Sequence, residues 1–114
     1  MSIHNFMTEE AQGRKATIFT AATTMTLAQL QSFGVFIINN ASGVAITVPA
    51  ASAEMAGMVR LFTNKGAGNS TVVVAAGFGG AGSGTDTDTL ARGDMAILYC
   101  DGSSWYSLHH TTGA

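Results

Sequence analysis

Charge is scarce in this chain. Only 11% of its 114 residues are Asp, Glu, Lys or Arg, less than half the share usual for a soluble domain. The net charge is −2, and the five basic residues Arg14, Lys15, Arg60, Lys65 and Arg92 form no long cluster. A nucleic-acid partner normally leaves a basic footprint, so none is expected. Cysteine is limited to Cys100, which excludes an intrachain disulfide. Its place in an apolar run marks it as a small core residue and not a reactive thiol. Long apolar runs are also missing. The longest, residues 35–38 and 95–100, have the length of strands and fall far short of the roughly 18–20 residues of a membrane helix. The start, Met1-Ser2-Ile3-His4-Asn5-Phe6, lacks the charged-then-apolar pattern of a signal peptide. Synthesis and assembly in a reducing cytoplasm are therefore expected.

Apolar residues, by contrast, make up 46% of the chain. A single domain is expected at this length, and it has few charges with which to cover itself. The excess apolar surface implies cover by other copies or by a partner.

The first fifteen residues differ from the rest. Residues 1–15 carry four of the twelve charged side chains and show little periodicity. They are expected to form a flexible N-terminal arm, with one helical turn started by Thr8 or simply a frayed end. Its apolar residues Ile3, Phe6 and Met7 could fold onto a neighbour.

Residues 16–114 read as an all-β domain of short strands separated by turn residues. Strands are expected at 17–20, 24–27, 34–39, 44–48, 58–63, 70–75, 94–100 and 104–109. A tight or helical turn falls at 28–31, and a short helix or 3₁₀ turn in the alanine-rich stretch 50–57, stopped by Gly57. Asn39-Asn40-Ala41-Ser42-Gly43 and Asp101-Gly102 read as hairpin loops. Turn signals at this spacing predict a compact antiparallel β-sandwich or β-barrel-like domain.

Several strands are apolar on both faces. Met95, Ile97 and Tyr99 alternate with Ala96, Leu98 and Cys100, and Val35 and Ile37 alternate with Phe36 and Ile38. An antiparallel sheet with one wet face should be apolar only at alternate positions. In a domain this small, a symmetry mate is the economical cover for the second face.

Catalytic and ligand motifs are weak. Residues 77–84 hold five glycines, but no Gly-Lys-Ser/Thr and no following helix, so a flexible loop is expected and no nucleotide site. Asp86 and Asp88 could supply two calcium ligands, but the glutamate of an EF-hand loop is missing, and solvated loop aspartates are the plainer reading. His109 and His110 fall on opposite faces of a strand, so one chain cannot chelate with both. A ring of histidines on an oligomer axis would be needed to hold a metal or anion. His4, His109 and His110 lie at the chain's ends and no Gly-x-Ser-x-Gly elbow occurs, so neither an enzyme nor a cofactor is expected. Trp105 and Tyr106 admit two readings. They could stack on sugar rings at an exposed tip with Phe78, Asp86 and Asp88; alternatively, Trp105 lies in the core and Tyr106 at an interface.

The run from Val35 to Leu108 resembles a pattern common in bacteriophage virion proteins. The resemblance is carried by Thr24-Met25-Thr26-Leu27-Ala28-Gln29-Leu30, Asn39-Asn40-Ala41-Ser42-Gly43 and Ile46-Thr47-Val48-Pro49-Ala50-Ala51. It continues through Gly68-Asn69-Ser70-Thr71-Val72-Val73-Val74 and Leu90-Ala91-Arg92-Gly93-Asp94 to Asp101-Gly102-Ser103-Ser104-Trp105-Tyr106. These are turn and strand signatures, so they specify a fold better than a job. Proteins of this look include capsid decoration (cement) proteins, head fibres and domains of tail fibres, and they are commonly trimers. The chain's size and arm favour a homotrimeric decoration protein on the capsid surface, bound to the major capsid protein through Ile3, Phe6 and Met7. The other reading the resemblance allows is a receptor- or glycan-binding module of a tail or head fibre.

Overall fold

The computed structural model describes residues 15–75, 78 and 85–111. Residues 1–14 of the expected arm and most of the glycine-rich loop lie outside them, while Lys15, expected in the arm, begins the first strand. Among the described residues, nine strands form two sheets. They are β1 (Lys15–Phe19), β2 (Thr23–Thr24), β3 (Phe33–Ile38), β4 (Ala45–Val48), β5 (Val59–Asn64), β6 (Ser70–Ala75), β7 (Thr85–Leu90), β8 (Met95–Cys100) and β9 (Trp105–His110). One helix, α1 (Leu27–Ser32), and one 3₁₀ turn (Ala53–Met55) complete the described elements. One sheet has the order β1-β3-β5-β8-β9 and the other β2-β4-β6-β7.

The chain is all-β in outline, but the sheets are mixed. This corrects the antiparallel sandwich expected from the turn signals. Odd strands up to β5 join the five-stranded sheet and even strands up to β6 join the four-stranded one, each parallel to its predecessor. The chain therefore winds as three successive passes. Only then does it turn back, with β7 antiparallel to β6, β8 to β5 and β9 to β8. The segment 39–43 consequently crosses from one sheet to the other and is not a hairpin loop. Its chemistry misleads because asparagine and glycine signal a reversal without specifying which sheet the next strand joins. The Asn40 carboxamide oxygen accepts from the Ser42 N–H at 2.8 Å, and Gly43 lies at φ +86°. Asp101-Gly102 does join a true hairpin, between β8 and β9.

Residues 24–27, expected as a strand, are mostly the entry to α1. The Thr26 hydroxyl accepts from the Gln29 N–H at 3.2 Å, and the Gln29 side chain accepts from the Thr26 N–H at 2.9 Å. This reciprocal pair satisfies two donors that the helix start would leave open. The helix buries Leu30 in the core.

Corners of successive passes stack closely. A Cβ on Gly43 would sit 1.9 Å from the Asn69 carbonyl oxygen, and one on Gly68 would sit 2.2 Å from the Gly43 nitrogen. The Asn40 amide donates to the Thr20 carbonyl at 3.0 Å. Asn64, 1% exposed, donates to the carbonyls of Gly68 and Leu90 and accepts from the Gly66 N–H. Buried polar groups are thus paired, as the cost of leaving them unsatisfied demands.

The two sheets enclose one core. The five-stranded sheet contributes Phe19, Phe36, Ile38, Phe62, Leu98 and Trp105, and the four-stranded sheet contributes Ile46, Val48, Val72, Val74 and Leu90. The Phe36 ring stacks between those of Phe19, at 5.8 Å, and Phe62, at 5.0 Å. Cys100 is buried and free.

Candidate functional site

Two places in the fold gather chemistry. They are the edge where the sheets close on each other, and the outward faces of the sheets.

At the closing edge, β7 of one sheet faces β9 of the other. Alternation along β9 turns Trp105, Ser107 and His109 inward, while Asp86, Asp88 and Leu90 turn inward from β7. Asp88 accepts from the Ser107 hydroxyl at 2.7 Å and binds His109 Nδ1 at 2.5 Å. The other ring nitrogen, Nε2, lies 3.1 Å from Asp94. Asp94 sits in the turn before β8, nearly buried, where its carboxylate also accepts from the Ala91 N–H at 3.0 Å. A neutral imidazole can donate from only one nitrogen, so two carboxylate partners favour the imidazolium. Desolvation opposes that charge, but the bonds to Asp94 and Asp88 outweigh it and raise the His109 pKa above its usual value. With both nitrogens engaged, His109 has no free lone pair with which to act as a general base. In its protonated form it is a cationic link between the sheets.

Asp86 and Asp88 stand on a strand, which corrects their reading as solvated loop aspartates. The reason is that β7 alternates threonine outward with aspartate inward at the sheet's edge. Asp86 is exposed and accepts from the Phe78 N–H at 3.0 Å. Among the described residues, no group of three or more His, Cys, Asp or Glu is arranged to hold a metal ion.

The expected binding tip does not form one surface. Trp105 is 1% exposed, which corrects its placement at an exposed tip. Its indole N–H donates to the Pro49 carbonyl at 2.9 Å, so both the apolar body and the polar atom of the side chain are accounted for. Phe78 is half-buried against the core and bridges to Trp105. Tyr106 points the other way, to the outside of the five-stranded sheet, beside Tyr99 at 6.2 Å. Its hydroxyl donates to Asp101 at 3.0 Å. The Ser103 and Ser104 N–H groups, with Tyr106, hold the Asp101 carboxyl below its usual pKa, and Asp101 raises that of Tyr106. Ile3, Phe6 and Met7 lie outside the described residues.

The chain matches no protein-family model, no curated protein and no solved structure. Its own surfaces therefore carry the functional reading.

The outward faces differ in kind. Register across the five-stranded sheet sets Ala16, Val35, Leu61, Ile97 and Leu108 in one row. The next row holds Ile18, Ile37, Thr63, Met95 and His110. Neither row contains Asp, Glu, Lys or Arg. The four-stranded sheet instead turns threonine outward, with Thr24, Thr47, Val73 and Thr87 in one row and Ala45, Thr71 and Thr89 in the next. The second apolar set foreseen on β3 and β8 is the outer face of the five-stranded sheet. Within a single chain, Ile97 and Tyr99 stay exposed there while Leu98 and Cys100 are buried.

Proposed function

We propose that this protein is a structural component of a bacteriophage particle: a homotrimer on the capsid surface that binds major-capsid subunits and holds them together. The observation that carries this reading is the chemistry of its two outward faces, one apolar and one rich in threonine, neither with a charged side chain in its central rows. Such a body suits assembly. The closing edge supports the same reading, since its histidine is fully engaged in joining the sheets. The turn and strand signatures shared with phage virion proteins add the particle and the threefold number.

The mechanism is avidity. Three modest contacts on one rigid body act as a linked set and hold far more tightly than any one alone. Ile3, Phe6 and Met7 are the residues proposed to contact the capsid. The protein is made in the host cytoplasm and added to the head there.

The test is binding of the purified protein to phage heads lacking it, followed by heating. Added protein should raise the temperature at which the heads release their contents, and removal of residues 1–14 should weaken binding without changing the number of chains in the assembly. Failure to bind heads would overturn the reading.

A second reading, a receptor- or glycan-binding module of a fibre, draws on the exposed Tyr99–Tyr106 pair, whose rings could stack on a sugar. It predicts binding to cells or glycans that survives removal of residues 1–14 and is lost in Tyr106→Ala.

A further inference from the structure

We infer that the outer face of the five-stranded sheet is the surface on which copies of this chain meet one another. The inference rests on the proposal that the protein works as an assembly of copies, and it identifies the joining surface.

Among the described residues, five large hydrophobic side chains are exposed: Ile18, Ile97, Tyr99, Tyr106 and Leu108. Register and alternation place all five on this one face. Single exposed apolar residues scattered over a surface need no explanation, but a contiguous group does. At roughly half exposure each, the five present on the order of 400–500 Å². The half-buried apolar residues between them extend the patch toward the ~800 Å² per partner of a standard stable interface.

The composition selects the occupant. A partner of different chemistry is usually met with charges that steer and orient it, and the two central rows of this face hold none; the nearest charges, Lys15 beside Phe33 and Asp101 at the Tyr106 hydroxyl, stand at its margins. Apolar, tyrosine-bearing and charge-depleted surfaces are typical of obligate interfaces between copies. The distribution adds a geometric argument. The greatest exposures stand on opposite edge strands, Leu108 on β9 at 68% and Ile18 on β1 at 53%. In a closed ring each contact joins two different patches, so the β9 side of one copy meets the β1 side of the next. The threonine face of the other sheet is left outward.

The test uses the full-length chain and its native mass by light scattering, across a dilution series. Wild-type protein should have a mass near three times 11.7 kDa. Leu108→Asp and Ile18→Asp should each weaken association by roughly thirtyfold or more and shift the mass toward a single chain. Thr87→Asp, on the threonine face, should leave it unchanged. The two edge variants should not add, because each lies on one side of the same contact. Circular dichroism and the melting curve report folding. If Leu108→Asp does not fold, Leu108→Ser takes its place.

A monomeric wild type overturns the inference and would mean that another segment or protein covers the face. So does an oligomer whose mass neither edge variant changes. The two proposals fail separately. An oligomer that splits in Leu108→Asp but never binds heads sinks the virion reading alone. One that binds heads and stays intact in both edge variants sinks this inference alone.

Discussion

Asp88 and His109, twenty-one residues apart in the chain, meet at 2.5 Å and tie the edge strand of one sheet to the edge strand of the other. Asp94 completes the link from the far side of the ring at 3.1 Å.

This link predicts a specific dependence on pH. The folded-state pKa of His109 is raised above the ordinary 6.5. Below the ordinary value both folded and unfolded chains hold the proton, so the link contributes in full. Its contribution is lost as pH rises through the raised folded value. His109→Gln should lower stability by about 1 kcal/mol near pH 6. In urea titrations the gap from wild type should narrow steadily as the solution is made more alkaline. A gap that stays constant across this range would mean that His109 is neutral in the fold.

Trp105 should behave as a core residue. Its fluorescence should be blue-shifted in the native protein and resist quenching by acrylamide. Trp105→Ala should cost about 3–5 kcal/mol of stability, measured by urea unfolding. Strong quenching in the folded state would return the side chain to the surface.

Gly43→Ala tests the stacked corner. The added methyl would meet the Asn69 carbonyl at 1.9 Å, at a backbone angle of φ +86°. Strain and displacement together should cost about 2–3 kcal/mol. Gly57 has a similar angle, but a Cβ added there would meet nothing within 4 Å. Gly57→Ala should therefore be the milder of the two, and equal losses in urea would mean the close approach adds nothing.

Phe36 lies between Phe19 and Phe62 in a row of stacked rings. Phe36→Ala should cost about 3–5 kcal/mol, seen as an earlier urea midpoint. A loss under about 1 kcal/mol would mean the core collapses around the gap.

Much of the strand pattern was legible because alternation and turn residues report local geometry. The β8–β9 hairpin is an example, with Asp101-Gly102 between two apolar runs. The direction of pairing was not legible. Parallel and antiparallel neighbours use the same residue types, and segment 39–43 reads as a hairpin whether the chain returns to its own sheet or crosses to the other. The apolar run at 35–38 held a clue, since an interior strand with parallel neighbours can be apolar on both faces. Thr26 and Gln29 also carried a readable signal, the spacing of a capping box. The link at His109 had no local signal. Asp88, Asp94 and His109 are brought together only by the fold-back of the last three strands.

The winding of the first six strands also fixes the size of the domain. Each pass adds one strand to both sheets at once, an advance of about 4.8 Å, so pass number sets length as rungs set the length of a ladder. β7 and β8 run against that direction, β9 turns back along it, and β7 and β9 are tied across at His109, which ends the ladder on that side. β1 and β2 stand together at the opposite end. Evolution or design could thus lengthen the domain by repeating a rung in its middle and leave its terminating strands intact.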